Sequence, residues 1–169
     1  MAASTPTKLS CHESHHLQVT GLRPSQPSVV HITNKQIGVF MLTIQNYKKV
    51  ESLEEAYELN QKKANRIVGG MMWMRMGDNR MNTAIDMSGL GLDKIEESDE
   101  EFKIGCMTTL RQLEVHEGFN EYTDGCAKEA LRHIVGVQFR NLATVGGSIY
   151  GRYGFSDVLT LLIGLDSYV

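Results

Sequence analysis

All three prolines of this chain, Pro6, Pro24 and Pro27, fall before residue 41, and none follows from Met41 to Val169. Proline removes a backbone donor and fixes φ, so the proline-free stretch can form strand ladders and helix interiors without that interruption. The first forty residues differ in other ways too. Four of the six histidines (His12, His15, His16, His31) lie there among Ser, Thr and Gln, with only Lys8, Arg23, Lys35 and Glu13 as formal charges. Residues 1–40 therefore read as a flexible or extraneous N-terminal extension. Cys11, His12, His15 and His16 could bind a metal, but no second ligand pair accompanies them, so the sequence implies no metal site.

Composition bounds the remainder. A chain of 169 residues with 41% apolar and 22% charged residues is long enough to bury a core, as one domain or two small lobes, and is not disordered throughout. A net charge of −3 makes no electrostatic case for nucleic acid or a membrane surface. No apolar run approaches the roughly 18 residues of a spanning helix. Three cysteines, Cys11, Cys106 and Cys126, show no CxxC spacing and fit a reducing, cytoplasmic setting. Cys106 and Cys126 sit in apolar contexts and read as buried thiols.

From Met41 the pattern alternates between strand and helix signals. Leu42–Ile44, Arg66–Val68, Thr83–Asp86 and Phe102–Ile104 read as strands. Ser52 and Glu55 form a capping box opening a helix to about Lys63, with Leu53, Ala56, Tyr57 and Leu59 facing a core. Thr109 and Gln112 cap a second helix, and a longer one spans about Asp124 to His133. Gln138 to Ile149 reads as extended and loop-like, and Ser156-Asp157 starts a last helix running to about Gly164. His116 and His133, at helix ends, read as partners of the C-terminal dipole. Strands and helices mixed unevenly suggest an α+β fold.

Two glycine pairs carry the chemical signal. Val68-Gly69-Gly70-Met71-Met72-Trp73 ends a strand, and Ala143-Thr144-Val145-Gly146-Gly147-Ser148 lies in the extended segment. Glycine permits positive φ and close backbone approach, and successive N–H groups in such bends converge on anions such as a pyrophosphate. Thr144 and Ser148 add hydroxyls, and Asp157 could accept from ribose hydroxyls or stabilise its helix. Neither pair matches a P-loop or GxGxxG. The methionines Met71, Met72, Met74, Met76 and Met81 around Trp73 read as helical core filling, the sharper option being a wall for an aromatic ring. No Ser/His/Asp, Cys/His or paired-carboxylate arrangement assigns a catalytic residue, so any chemistry must come from a cofactor.

These residues, with Ile104–Leu110, Gln138–Asn141 and Phe155-Ser156-Asp157-Val158-Leu159 in the same order, resemble the FAD-binding medium subunit of the molybdenum hydroxylases. The variant resembles the separate flavin subunit of bacterial xanthine dehydrogenase-like enzymes, over about residues 41–169. The resemblance implies a two-lobed, PCMH-like FAD-binding domain. A small N-terminal α/β lobe would span 41–95, and part of a larger antiparallel-sheet lobe with flanking helices would span 96–169. It implies FAD contacts from Val68, Gly69, Gly70, Met71, Met72 and Trp73, from Ala143, Thr144, Gly146, Gly147 and Ser148, and from Asp157 at the adenosine half.

The resemblance also implies partners: a molybdenum-binding large subunit, a small subunit with iron–sulfur clusters, and NAD as electron acceptor. Two departures from the family pattern stand out. Met71 follows the first glycines where a side-chain donor is common, and Ser148 replaces a usual asparagine. The family pattern continues beyond Val169, so the second lobe is expected to be incomplete. Two alternatives remain open at this level, a non-catalytic interaction remnant without flavin and a related FAD-dependent oxidase.

Overall fold

The computed structural model describes residues 41–169, and the expectations for the N-terminal forty residues, including Cys11, His12, His15 and His16, lie outside the described residues. Three strands, β1 (Thr43–Lys49), β2 (Arg66–Val68) and β3 (Arg80–Asp86), form a parallel sheet in the order β1-β3-β2. The register pairs Tyr47 with Ala84, Lys49 with Asp86 and Val68 with Asp86. Helix α1 (Leu53–Asn60) connects β1 to β2. A short antiparallel hairpin follows, β4 (Ile95–Glu97) with β5 (Phe102–Ile104). The rest is helical: α2 (Leu110–Val115), α3 (Glu117–Tyr122), α4 (Cys126–Arg132), α5 (Val137–Arg140), α6 (Val145–Gly151) and α7 (Asp157–Gly164). The fold is a mixed α+β one. Among the described residues its antiparallel part is the hairpin plus one bridge between Thr109 and Thr144.

Strand β1 runs five residues past Ile44 because β3 offers a parallel partner along its length. The polar run Gln45–Lys49 does not announce such a non-local ladder. On α1 the Ser52 hydroxyl accepts from the Glu55 N–H at 3.1 Å, as expected. The Glu55 carboxylate reaches one residue further back than a capping box, accepting from the Glu51 N–H at 2.9 Å. The helix stops at Asn60, and the buried side chain of Asn65 closes its end by donating to the Leu59 carbonyl at 2.7 Å. Leu53 and Tyr57 do not reach the core; they are 54% and 68% exposed. An eight-residue helix over a three-stranded sheet offers a narrow contact stripe, and Ala56 occupies it against Val50, Ile85 and Met87.

A second cluster on the sheet packs Val68, Met81 and Ala84 with Leu42, Met71 and Met74. The methionines therefore do fill core, but from a loop, a single 3-10 turn (Met74–Met76) and a strand rather than from a helix. Met76 is exposed, and Met72 turns instead to the helical core. That core packs Leu110, Leu113, Phe119, Ala127, Leu131, Val145, Val158 and Leu161.

The capping box of α2 is complete, with Gln112 N–H donating to the Thr109 hydroxyl at 3.1 Å and Thr109 N–H to the Gln112 side chain at 2.8 Å. His116 departs from its expected role. Its Nδ1 accepts from the Phe119 N–H at 3.1 Å, so it caps the start of α3 rather than only closing α2. His133 ends α4 and lies 3.2 Å from the Glu129 carboxylate. Cys106 and Cys126 are exposed free thiols, not buried ones, since one follows the hairpin at the surface and the other opens α4.

The largest departure is the segment from Gln138 to Ile149, which is α5, a short connection and α6 rather than extended chain. Paired glycines weaken a helix by intrinsic preference. Here tertiary packing overrides that preference, because the Thr108 and Cys106 carbonyls accept from the first amides of α6.

Candidate cofactor-binding site

Strand β2 ends at Val68, beside Asp86 at the carboxyl end of β3, and runs straight into Gly69-Gly70. The carboxyl ends of parallel strands are where open sheets leave a crevice for ligands. Asp86 is fixed there. It accepts from the Ser88 N–H at 2.8 Å, from the Ser88 hydroxyl at 3.0 Å and from the Tyr47 hydroxyl. Partial burial would raise its carboxyl, but these donors outweigh that and hold it below the usual aspartate range.

The two glycine segments meet. A Cβ on Gly70 would lie 1.7 Å from the Leu142 carbonyl oxygen, and one on Gly69 would lie 2.6 Å from the Thr144 hydroxyl. Neither glycine adopts positive φ; the left-handed residue of the bend is Met71, at φ 53°. The first pair is therefore there for close approach, not for its turn conformation.

The two segments differ in what their amides do. Among the described residues, no acceptor takes a hydrogen bond from the backbone N–H groups of Gly69, Gly70, Met71, Met72 or Trp73. In the second segment the N–H groups of Ala143 and of Val145 to Ser148 are committed, and that of Thr144 has no acceptor among the described residues. Val145 N–H donates to the Thr108 carbonyl at 2.9 Å, Gly146 to Cys106 at 2.9 Å, Gly147 to the Thr144 hydroxyl at 3.2 Å and Ser148 to the Thr144 carbonyl at 3.0 Å. Gly146 and Gly147 thus form the first turn of α6, not a second open nest. A Cβ on Gly146 would sit 2.6 Å from the Cys106 carbonyl, which explains the glycine there. The Ser148 hydroxyl donates to the Thr144 carbonyl at 3.0 Å, and Ala143 is buried with its carbonyl accepting from Leu110 N–H at 2.8 Å.

Asp157 lies apart from this contact. It is exposed in the first turn of α7, where Ser156 supplies the cap by accepting from Leu159 N–H at 3.3 Å. With Cys126, Ala130 and Leu161 it lines a shallow cavity of about 280 Å³ between α4 and α7, whose walls include no residue of either glycine segment.

Two groups near the site were not legible beforehand. Trp73 packs with Tyr153, Phe155 and Phe139 at centroid distances of 5.4, 6.2 and 6.4 Å. The aromatic spacing just after the second glycine pair was the available signal. The second group is a buried ion pair. Arg140 donates from Nε to Glu114 at 2.7 Å and from Nη1 to the Ile134 carbonyl at 3.0 Å, and Arg111 reaches the same carboxylate at 2.8 Å. Burial would raise the Glu114 carboxyl, but the two guanidinium groups outweigh it and hold it below the usual glutamate range. Arg140 ends α5 immediately before the Leu142–Thr144 segment, so this pair anchors the wall on which Gly69 and Gly70 rest.

Among the described residues no three His, Cys, Asp or Glu side chains converge as a metal site, and no helix is long and apolar enough to cross a membrane.

A strand end and a bend whose amides have no acceptor among the described residues thus lie against the start of α6, an arrangement whose chemistry suits an anionic group. The family described as the FAD binding domain in molybdopterin dehydrogenase matches residues 41–169, and this chain belongs to it. The uncharacterized protein YgfM of Escherichia coli (strain K12) is 26% identical over 133 residues, 73% of this chain and 48% of that protein. The chain thus spans about half the length of the curated relatives it matches. Among solved structures, a carbon monoxide dehydrogenase from Hydrogenophaga pseudoflava that lacks the Mo-pyranopterin moiety of its cofactor is 26% identical. It has a TM-score of 0.53 over 62% of this chain and 38% of that one. A cyanide-inactivated Cu,Mo-CO dehydrogenase has a TM-score of 0.65 at 19% identity, over 73% of this chain and 45% of that one, a likeness of fold.

Proposed function

We propose that this chain carries FAD as the electron-transfer subunit of a molybdenum hydroxylase complex of the xanthine dehydrogenase kind. The family membership supports FAD as the cofactor. The observation that carries the site is the run of five amides, Gly69 to Trp73, with no acceptor among the described residues, lying against the second glycine segment. Such a run fits a pyrophosphate, which brings the acceptor oxygens these donors lack.

In this reading Val68, Gly69, Gly70, Met71, Met72 and Trp73 hold the diphosphate. Ala143, Thr144, Gly146, Gly147 and Ser148 form the supporting wall, and Asp157 offers its carboxylate to a ribose hydroxyl of the adenosine half. The two lobes fall at 41–95 and 96–169. When bound, the flavin supplies the redox chemistry, and the chain's own residues bind it, orient it and tune its surroundings. Electrons would come from a molybdenum-binding large subunit through the iron–sulfur clusters of a small subunit, with NAD as acceptor and the cytoplasm as the setting.

Amide hydrogen exchange with and without FAD tests the site. Amides 69–73 are expected to exchange fast alone and slowly with FAD, while 145–148 stay protected in both. Equilibrium dialysis showing no saturable FAD binding would overturn the reading. NADH formation by the complex reconstituted with its partner subunits tests the acceptor.

A further inference from the structure

Trp73, the last of the five donor residues, is also the centre of an aromatic cluster that the structure leaves half open. Trp73 is 48% exposed, Tyr153 40% and Phe155 69%. Their arrangement is built rather than incidental. Gly151 ends α6 so closely against Tyr153 that a Cβ there would lie 2.8 Å from the ring. Arg152 then takes a left-handed conformation at φ 51°, which turns the chain back and brings Tyr153 and Phe155 over Trp73. Tyr153 and Phe155 stack with centroids 5.4 Å apart and an interplanar angle of 24°. Rings of this size normally bury most of their surface, and a contiguous exposed patch of them marks a binding surface.

We propose that Trp73, Tyr153 and Phe155 are the ring-binding face of the site, taking a planar heteroaromatic end of the dinucleotide whose diphosphate lies on the amides of 69–73. The inference rests on the FAD reading above. Its basis is continuity: the donor run and the aromatic face share Trp73, so a ligand held by the first is within reach of the second. Stacking on aromatic side chains needs no hydrogen-bond partner from the ring, which matches a face whose exposed surface is largely apolar. Phe139, partly buried behind Trp73, sets the tilt of the indole with an edge contact at 78°.

The test uses the full chain and its Trp73→Leu and Phe155→Leu variants, titrated with FAD, with FMN and with ADP, and circular dichroism checks folding. Both variants are expected to keep the wild-type spectrum and to bind FAD roughly 5- to 150-fold more weakly, the loss typical of removing one base–aromatic stack. A loss shared by FMN but not ADP places the isoalloxazine on this face, and a loss shared by ADP but not FMN places the adenine there. Either result supports the proposal. Wild-type affinity for all three ligands in both variants overturns it while leaving FAD binding intact. Should Trp73→Leu not fold, Phe155→Leu decides, because that side chain is the most exposed of the three. Absence of FAD binding by the wild-type chain removes the parent reading and this one with it, a pattern distinct from loss in the variants alone.

Discussion

Glu114 shows how little of a buried side chain's role its neighbours in sequence reveal. In the run Leu113-Glu114-Val115 it looks like a solvated helix residue, yet it is 3% exposed and shared between Arg140 and Arg111. Removing one member of a buried pair leaves the other charge stranded, at a cost of about 3–5 kcal/mol. Glu114→Gln is expected to destabilise by that order in urea denaturation at pH 7. The folded carboxyl lies below its unfolded value of about 4.3. The unfolded chain therefore binds the proton first, and the pair's contribution is whole above that pH and fades as pH falls through the lower folded value. The variant should lack this portion of the acid slope, and an unchanged slope would show that the pair is not what sets it.

Short helices in this chain are held by their ends. Helices α2 and α3 have six residues each, too short to persist on propensity, and they share His116 as a joint. The imidazole Nδ1 satisfies the Phe119 amide, and Phe119 is a buried member of the helical core. His116→Ala should cost about 1 kcal/mol, the usual loss for an N-cap, and His116→Asn should recover most of it. Thermal denaturation of the three proteins measures this. Equal midpoints would mean the cap is replaced by water at no cost. The caps Ser52, Thr109 and Ser156 were readable in advance because a cap is a relation between residues three apart. The extent of β1 and the helical state of α6 were not, because each depends on a partner distant in sequence: β3 for the first, and the Cys106–Thr108 carbonyls for the second.

The whole molecule turns on the place where Gly69-Gly70 touches Leu142–Thr144, since it joins the end of a parallel strand to the start of α6. A methyl group at residue 70 would overlap a backbone carbonyl that cannot rotate away. Gly70→Ala is therefore expected to cost about 1–3 kcal/mol of stability, the range for overpacking, and to weaken FAD binding by moving the donor run. Chemical denaturation and FAD titration of the same variant check both. A variant as stable as the wild type would show that the segments do not meet as described.

Chain-local chemistry was enough to establish the mixed helix-and-strand character, most caps, the strands Arg66–Val68 and Phe102–Ile104, and the two glycine segments with their family likeness. All of these depend on residue type and short spacing. Which glycine amides find an acceptor, which side chains face inward on α1, and how Trp73 comes to meet Tyr153 and Phe155 depend on contacts between segments roughly thirty to eighty residues apart. A hydrogen bond or a ring contact forms only when folding brings both partners together. The donor of Gly146 reads in sequence as no less available than those of Gly69 and Gly70, and only the packing of α6 gives it the Cys106 carbonyl, whereas Gly147 is met locally by the Thr144 cap.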